Sequence, residues 1–378
     1  MKKILIISFT DQSRDPRVRR QVDALIKDYK ITCAGIKPAP QPLIDFVPIN
    51  KKNNSIISVF QRLWLLFLKR DQQMIYEKYQ LEKVEKVLLR KSFDIVICND
   101  LEPLALALRV KGTAKLIWDA HEYYPDEIID RIHLRLLLKN HVDRMLKKYA
   151  RKADLSYTVS NGCIKEYKKN YNIDCKLMLN ATNYVELKPK FNMSGAIKMV
   201  HHGVAVRSRK MELMIYSVIQ CKKDVELDLY LLATGESGKK YLAEMKDKFK
   251  SFDNIKFLEP IPFNEIAATI NKYDIGFIYY EPTQANYKYS LPNKFFEYIQ
   301  ARIAVAISPL EDLSLLVKRF EIGIISENFK PSSMANAIEA LTFEAINNYK
   351  INSDKLAKEM NADSEIEKLV QDIQEILE

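Results

Sequence analysis

The amino-acid sequence predicts an α/β protein made of two Rossmann-like, doubly wound parallel-sheet domains. Three observations carry this expectation. The chain has 378 residues, more than the roughly 150–200 that one ordinary core organises. Short β-branched runs alternate with longer segments of helical period, the pattern of parallel strands joined by crossover helices. The alternation then restarts near the middle of the chain. With 47% hydrophobic residues and interspersed charges the composition is globular, without low-complexity tracts or a solenoid repeat.

The elements follow in order. KILIISF opens the first half as a strand, and a helix over 16–28 comes next, with Asp15 as cap, Pro16 at its first position and Val18, Val22, Leu25 and Ile26 as the inward stripe. ITCAGI, DIVICN, KLIWDA and LSYTVS read as further strands, with helices over 102–111 and 161–170. After CKLMLNAT and a loop over 181–197, the runs KMVHHG, LDLYLLAT, IKFLEP, DIGFIYY, AVAIS and GIIS repeat the pattern. Two such domains, joined near 185–197, would form a cleft facing the carboxyl ends of both sheets, where open α/β folds bind ligands. The segment 56–70, IISVFQRLWLLFLKR, is the most apolar helix candidate. It reads first as a core helix, with a membrane-contacting or acceptor-binding helix as the functional alternative.

Charge and cysteines narrow the class. Residues 1–190 carry 36 Lys+Arg against 22 Asp+Glu, a balance of +14, whereas 191–378 carry 23 against 27, or −4. A one-sided positive field suits an anionic membrane surface, a phosphate-bearing acceptor or nucleic acid. Aromatic residues are not interleaved with basic ones as a base-stacking platform requires, which argues against nucleic acid. The five cysteines are scattered and form no C-x-x-C pair, so they read as reduced thiols. The opening MKKILIISFT has a short apolar run and reads as a buried strand, not a signal peptide. No stretch approaches the roughly 20 apolar residues of a spanning helix, so the expected location is cytoplasmic, or peripheral at the inner face of the plasma membrane.

The most specific chemical segment is Tyr287–Ala304, YKYSLPNKFFEYIQARIA. Pro292 marks a helix start, Ser290 could cap it, and Lys294 and Glu297 fall one turn apart on one face. Free N–H groups and a positive dipole end suit a diphosphate, Lys294 adds a point charge, and Glu297 can accept the two hydroxyls of a ribose. The plain alternative is a solvent-facing Lys–Glu pair, common on any helix.

This segment resembles the donor-site motif of retaining glycosyltransferases of the GT-B fold, glycosyltransferase family 4, in which S-L-P-N-K-F-F-E-Y is a recurrent form. The resemblance implies a donor-nucleotide site formed by Asn293, Lys294 and Glu297, with the ribose on Glu297. The family often has a second glutamate eight positions earlier, contacting the sugar; this chain has Tyr289 there. HGVAVRSRKME, His202–Glu212, is similar to the strand-to-helix loop that carries a basic residue for the donor diphosphate. Aligned on Gly203 and Glu212, that role falls to Arg209, with Arg207 and Lys210 as neighbours. WDAHEYYPDE, Trp118–Glu127, is similar to the family's segment whose histidine contacts the transferred sugar or the acceptor side, which gives His121 that role, with Asp119 or Glu122 as its partner. Weaker likenesses lie in the opening strand–loop–helix, in TVSNGCIKEY and in LMLNAT. LLATGESGKKYL spaces Gly235 and Gly238 differently from the family's Gly-x-Gly turn, and the usual Gly-rich first loop is replaced by Thr10–Arg14.

The resemblance implies an N-terminal acceptor-binding domain over 1–185 and a C-terminal nucleotide-sugar domain over 186–378, the final helix crossing back to the first. His121, Arg209 and Lys294 are the expected catalytic residues, and Gly203 joins the nucleotide set. Asp15, Arg17, Glu122 and Tyr289 are candidate acceptor or sugar contacts. The sequence has no H-E-x-x-H, G-x-S-x-G, P-loop or D-x-D triplet, so the expected partners are a nucleotide-sugar donor and a glycan or lipid-linked acceptor, with no cofactor and no metal required. The alternatives are a non-catalytic nucleotide-sugar-binding or scaffold subunit of a polysaccharide assembly complex, and a nucleotide-sugar epimerase or hydrolase of the same fold.

Overall fold

The computed structural model describes residues 1–41, 44–53, 55–126 and 132–378, and of Ile132 and His133 the backbone alone. Glu127, at the end of the third motif, lies outside the described residues. The chain divides into two compact units, Met1–Leu179 with Ile366–Glu378, and Asn180–Glu365.

The first unit runs β1 (Lys3–Ile7), α1 (Pro16–Leu25), β2 (Lys30–Gly35), β3 (Asp45–Pro48), α2 (Ile56–Phe67), α3 (Asp71–Tyr79), α4 (Leu81–Leu88), β4 (Ile95–Asn99), α5 (Leu104–Val110), β5 (Lys115–Asp119), α6 (Ile132–Lys148), β6 (Leu155–Thr158), α7 (Asn161–Tyr171) and β7 (Lys176–Leu177). Its strands form one parallel sheet in the order β3-β2-β1-β4-β5-β6-β7. Ile4 of β1 pairs with Ile31 on one side and Ile95 on the other. β1 and β4 are buried without polar alternation because both faces of the sheet are covered. Asp15 caps α1 by accepting from the backbone N–H groups of Arg17 and Val18, and Val18, Val22 and Leu25 enter the core. The sequence reading did not anticipate β3, a four-residue edge strand ending in proline, because such a run lacks a strand's length and alternation.

The second unit continues with β8 (Ile197–Val204), α8 (Glu212–Ile219), β9 (Val225–Leu232), α9 (Gly235–Phe249), β10 (Ile255–Leu258), α10 (Ile266–Ile270), β11 (Ile275–Ile278), α11 (Ala285–Lys288), α12 (Asn293–Gln300), β12 (Ala304–Ile307), α13 (Glu311–Phe320), β13 (Gly323–Ile325), α14 (Pro331–Glu339) and α15 (Phe343–Glu359). This sheet is ordered β10-β9-β8-β11-β12-β13, all parallel. Strand order reverses between β1 and β4 in the first sheet and between β8 and β11 in the second, the switch points at whose carboxyl ends such sheets bind ligands. The last helix, α16 (Ala362–Leu377), delivers Leu369 and Ile373 to the first unit's core. There Asp372 accepts hydrogen bonds from Tyr157 and Lys176.

That return changes the charge division. The first unit carries 35 Lys+Arg against 25 Asp+Glu, or +10, and the second 24 against 24. The acidic end of α16 offsets part of the basic half it joins. Among the described residues no helix is long and apolar enough to cross a membrane.

α12 sits close on its sheet because β11 has a glycine beneath it. A Cβ built on Gly276 would come within 2.3 Å of the ring of Tyr298, which is fully buried. Gly276→Ala should therefore destabilise the protein by about 1–3 kcal/mol through overpacking. Urea denaturation followed by circular dichroism measures this, and an unchanged midpoint would show that α12 does not depend on the close approach.

Candidate functional site

In the second unit, His201, His202 and Gly203 lie near the end of β8, just before Val204, and the chain passes through a short 3-10 turn, Arg207–Arg209, into α8. α12 begins after Pro292 with no side-chain cap. Ser290, expected as a cap, instead accepts a hydrogen bond from Tyr280 Oη at 2.8 Å. The first-turn N–H groups of α12 therefore have no side-chain acceptor, and Asn293 stands exposed at that turn.

Lys294 and Glu297 do not form the solvent-facing pair that their spacing allowed. They are 8% and 6% exposed, and no ion pair within 4 Å joins them or ties Lys294 to any other carboxylate among the described residues. Gly203 has φ +131, and a Cβ there would lie 3.5 Å from Lys294 Nζ. The ammonium group thus lies against bare backbone at the end of β8, in a conformation that favours glycine. Burial, then the nearby Arg209 guanidinium, pushes Lys294 down to about 7, with Glu297 opposing in part. Burial pushes Glu297 up to about 7, and Lys294 only partly offsets it.

The three cations of the strand-to-helix turn separate by their partners. Arg207 pairs with Glu244 and lies over the Tyr241 ring at 4.7 Å. Lys210 pairs with Glu281 at 2.5 Å. Arg209 alone has a buried Nε without a hydrogen-bond partner. His202 was not anticipated: its Nε2 comes within 3.2 Å of Glu297 Oε2, out of line for a hydrogen bond. Burial and Lys294 hold that imidazole down to about 3, in its neutral form. Its only sequence signal was adjacency to Gly203. Tyr289 is buried and its hydroxyl accepts from Lys288 Nζ at 3.0 Å.

The first unit gathers a second polar cluster at the carboxyl ends of β4 and β5. Arg17 holds Asp119 through Nε at 2.7 Å and through Nη2, and Gln21 Nε2 reaches Asp119 at 2.9 Å and Asn99 at 3.1 Å. His121 lies 3.3 Å from Asn99 Oδ1 and 3.3 Å from Asp100 Oδ1, with Asp119 at 3.8 Å. Burial works against its protonation, but Asp100 and Asp119 outweigh that and hold the imidazole above its ordinary range. Burial opposes the charge on Asp119, yet Arg17, with His121, holds it well below the usual carboxylate range. Of the two partners expected for His121, Asp119 is present and Glu122 is not the near carboxylate; Asp100, which also accepts from Tyr124 Oη at 2.6 Å, takes that place. Glu122 offers its backbone carbonyl to Tyr167. Asp15 and Arg17, expected as acceptor contacts, are committed internally. Asp15 caps α1 and accepts from Thr10 Oγ1 at 2.9 Å, and Arg17 is buried on Asp119.

The fold is that of the GT-B glycosyltransferases. The chain is similar in structure to a sucrose-phosphate synthase from Thermosynechococcus elongatus, with a TM-score of 0.71 and 13% identity over 100% of this chain and 99% of that one. Anabaena HepE in complex with UDP-glucose superposes with a TM-score of 0.69 and 13% identity, over 99% of this chain and 100% of that one. A glycosyltransferase from Rickettsia africae ESF-5 does so with a TM-score of 0.66 and 12% identity, over 100% and 99% respectively. No family model matches the chain, and no curated protein sequence does.

An ammonium depressed to about 7 is largely neutral at pH 8, and an anion bound beside it restores its charge. Binding of a nucleoside diphosphate at pH 8 should therefore take up close to one proton, visible by calorimetry in buffers of different ionisation enthalpy. Lys294→Met should abolish the uptake and weaken binding roughly tenfold or more. Equal proton uptake by both proteins would place the anion elsewhere.

Proposed function

We propose that this protein is a glycosyltransferase that moves a sugar from a nucleotide-sugar donor to a glycan or lipid-linked acceptor in surface polysaccharide biosynthesis. The observation that carries the reading is a pair of unpartnered cationic groups, Lys294 Nζ and Arg209 Nε, beside the bare backbone of Gly203 and the uncapped start of α12. That arrangement suits a diphosphate. Glu297, one turn further along the same helix, is placed to accept the hydroxyls of the attached ribose. The fold supports the reading, and one solved structure that shares it, HepE, holds UDP-glucose.

In this reading the bond between the sugar's anomeric carbon and the donor diphosphate breaks as the acceptor oxygen bonds to that carbon on the same face, with retention. The acceptor's proton passes to the departing diphosphate. Arg209, Lys294 and the α12 N–H groups stabilise the charge that grows on the leaving group, which is worth most in a water-excluded site. Asn293 adds a polar contact at that turn, and no metal is required. His121, held above its ordinary range and oriented by Asp100 and Asp119, contacts the transferred sugar or acceptor. A second reading, a nucleotide-sugar-binding subunit without turnover, is favoured by Tyr289 at the position where a sugar-contacting glutamate is usual; donor affinity without transfer to any acceptor would select it.

A thermal-shift panel of UDP-, GDP-, ADP- and CMP-sugars tests the donor class, since a ligand that binds the native state raises its melting temperature by mass action. Glu297→Ala should weaken donor binding by about ten- to a hundredfold while the fold survives, the loss expected for charged hydrogen bonds to a ligand of about 1.5–3 kcal/mol. An unchanged nucleotide dissociation constant would remove Glu297 from the site. Arg209→Ala should lower kcat more than it raises the dissociation constant for the nucleoside, because its partner gains charge in the transition state. Near-normal kcat would move the phosphate site elsewhere.

A further inference from the structure

Helix α2 overturns the reading of 56–70 as a core helix on one of its faces. Ile56, Ile57, Phe60, Trp64 and Phe67 are 80%, 72%, 71%, 62% and 66% exposed, and Leu68, just beyond the helix, is 41% exposed. At 3.6 residues per turn these six positions fall within an arc of about 120° and run about 18 Å along the axis. Ser58, Leu65 and Leu66 occupy the opposite side and are buried. A contiguous exposed stripe of this size and aromatic content marks an interaction surface, not scattered surface residues.

The helix is presented firmly. Ser55 caps it by accepting from Ser58 N at 3.2 Å, and Arg144 of α6 donates to the carbonyl of Leu66 at 3.4 Å. Asp71, at the start of α3, accepts from Arg144 Nε at 2.6 Å and pairs with His141 at 2.6 Å, which clamps the α2–α3 corner to α6. Trp64 and Phe67 stack on each other at 5.7 Å instead of turning inward.

Charge selects the occupant. No acidic residue lies between Asp45 and Asp71, while Lys51, Lys52, Arg62, Lys69 and Arg70 do. Lys69 and Arg70 are exposed and form no ion pair among the described residues. A second copy of the chain would set two basic rims against each other. Lys52 pairs with Glu77 at 3.2 Å and Arg62 turns back onto Ser58, so the free cations at the arc are Lys69 and Arg70. An apolar arc with Trp and Phe that ends in two such cations matches the boundary between headgroups and acyl chains of an anionic bilayer. At 12 residues the helix is too short to span one.

We propose that α2 is an interfacial anchor that lies in the plane of an anionic membrane, its apolar arc in the acyl boundary and Lys69 and Arg70 on lipid phosphates. The inference goes beyond the donor chemistry and stands on this surface alone. The sequence supplies its own probe, because the protein has two tryptophans, of which Trp118 is fully buried and Trp64 is exposed.

The test uses the full chain and phosphatidylcholine vesicles with and without phosphatidylglycerol. At low salt, the native protein should co-sediment with the anionic vesicles, and its tryptophan emission should shift to shorter wavelength as Trp64 leaves water. Binding should weaken as salt rises, because attraction of the cations to the surface is screened within a Debye length. A Phe60→Ser, Trp64→Gln double variant, altered only at exposed positions, should lose at least tenfold in partitioning, as should Lys69→Glu with Arg70→Glu. The Trp64→Phe variant should bind yet show no emission shift. Absence of sedimentation at low salt, equal binding by the native protein and the two double variants, or an unshifted Trp64 emission on bound vesicles would overturn the proposal. So would a concentration-dependent dimer, abolished by the double variant without lipid, since a second copy would then cover the stripe. Nucleotide binding measured on the same preparations is a separate readout, so failure of the anchor and failure of the donor site are distinguishable.

Discussion

A buried ammonium without a carboxylate partner is the constraint around which the second unit is organised. Removing a charge from water costs several kcal/mol unless it is paired or neutralised. The other buried lysine and arginine side chains of this unit meet that cost internally: Arg302 pairs with Asp354 at 2.8 Å and Lys350 with Asp274 at 2.7 Å. Lys294 has no carboxylate within 4 Å among the described residues and lies against the bare backbone of Gly203; burial and the repulsion of Arg209 outweigh the attraction of Glu297, and it falls to about 7. The strand, the glycine, the uncapped helix start and the close seat of α12 over Gly276 together hold that group in place. Folding alone does not require such an arrangement; under the proposed function an anionic ligand accounts for it.

The first unit resolves the same problem differently. Arg17, brought in by α1, meets Asp119 at the end of β5, and Gln21 and Asn99 complete the network. The cluster's strongest charges are satisfied by one another, so its chemical offer is His121, held above its ordinary range by Asp100 and Asp119. The two switch points therefore carry groups of different character: a cationic site with unmet pairing in the second unit, and an internally braced histidine in the first.

Much of this was legible in the sequence because it depends on local pattern. The β-branched runs became strands, and Asp15 and Pro16 started α1 as their chemistry dictates. Lys294 and Glu297 became donor-site candidates through the resemblance of their segment to a known motif; their spacing alone allowed an ordinary solvent-facing pair. What remained hidden depends on distant partners. The resemblance singled out Arg209, but the physical difference from Arg207 and Lys210 lies in Glu244 and Glu281, far along the chain, which engage the other two. The braces of Arg17 and Gln21 span 102 and 78 residues, and the replacement of Glu122 by Asp100 beside His121 follows from the sheet's register. α2 was ambiguous for another reason: it is apolar almost all round, and periodicity alone does not say which side finds a core. The charge balance shifted because α16 carries acidic residues back to the basic half.

Under the proposed function, Lys294 and Arg209 are left without carboxylate partners among the described residues so that a diphosphate can pair with them. A crystal structure of the protein soaked with a nucleoside diphosphate tests it most directly. Phosphate oxygens are expected within hydrogen-bond distance of Lys294 Nζ, Arg209 and the first N–H groups of α12, with the ribose on Glu297. A nucleotide bound away from these groups, or Lys294 and Arg209 found paired to protein carboxylates with the diphosphate absent, would contradict it.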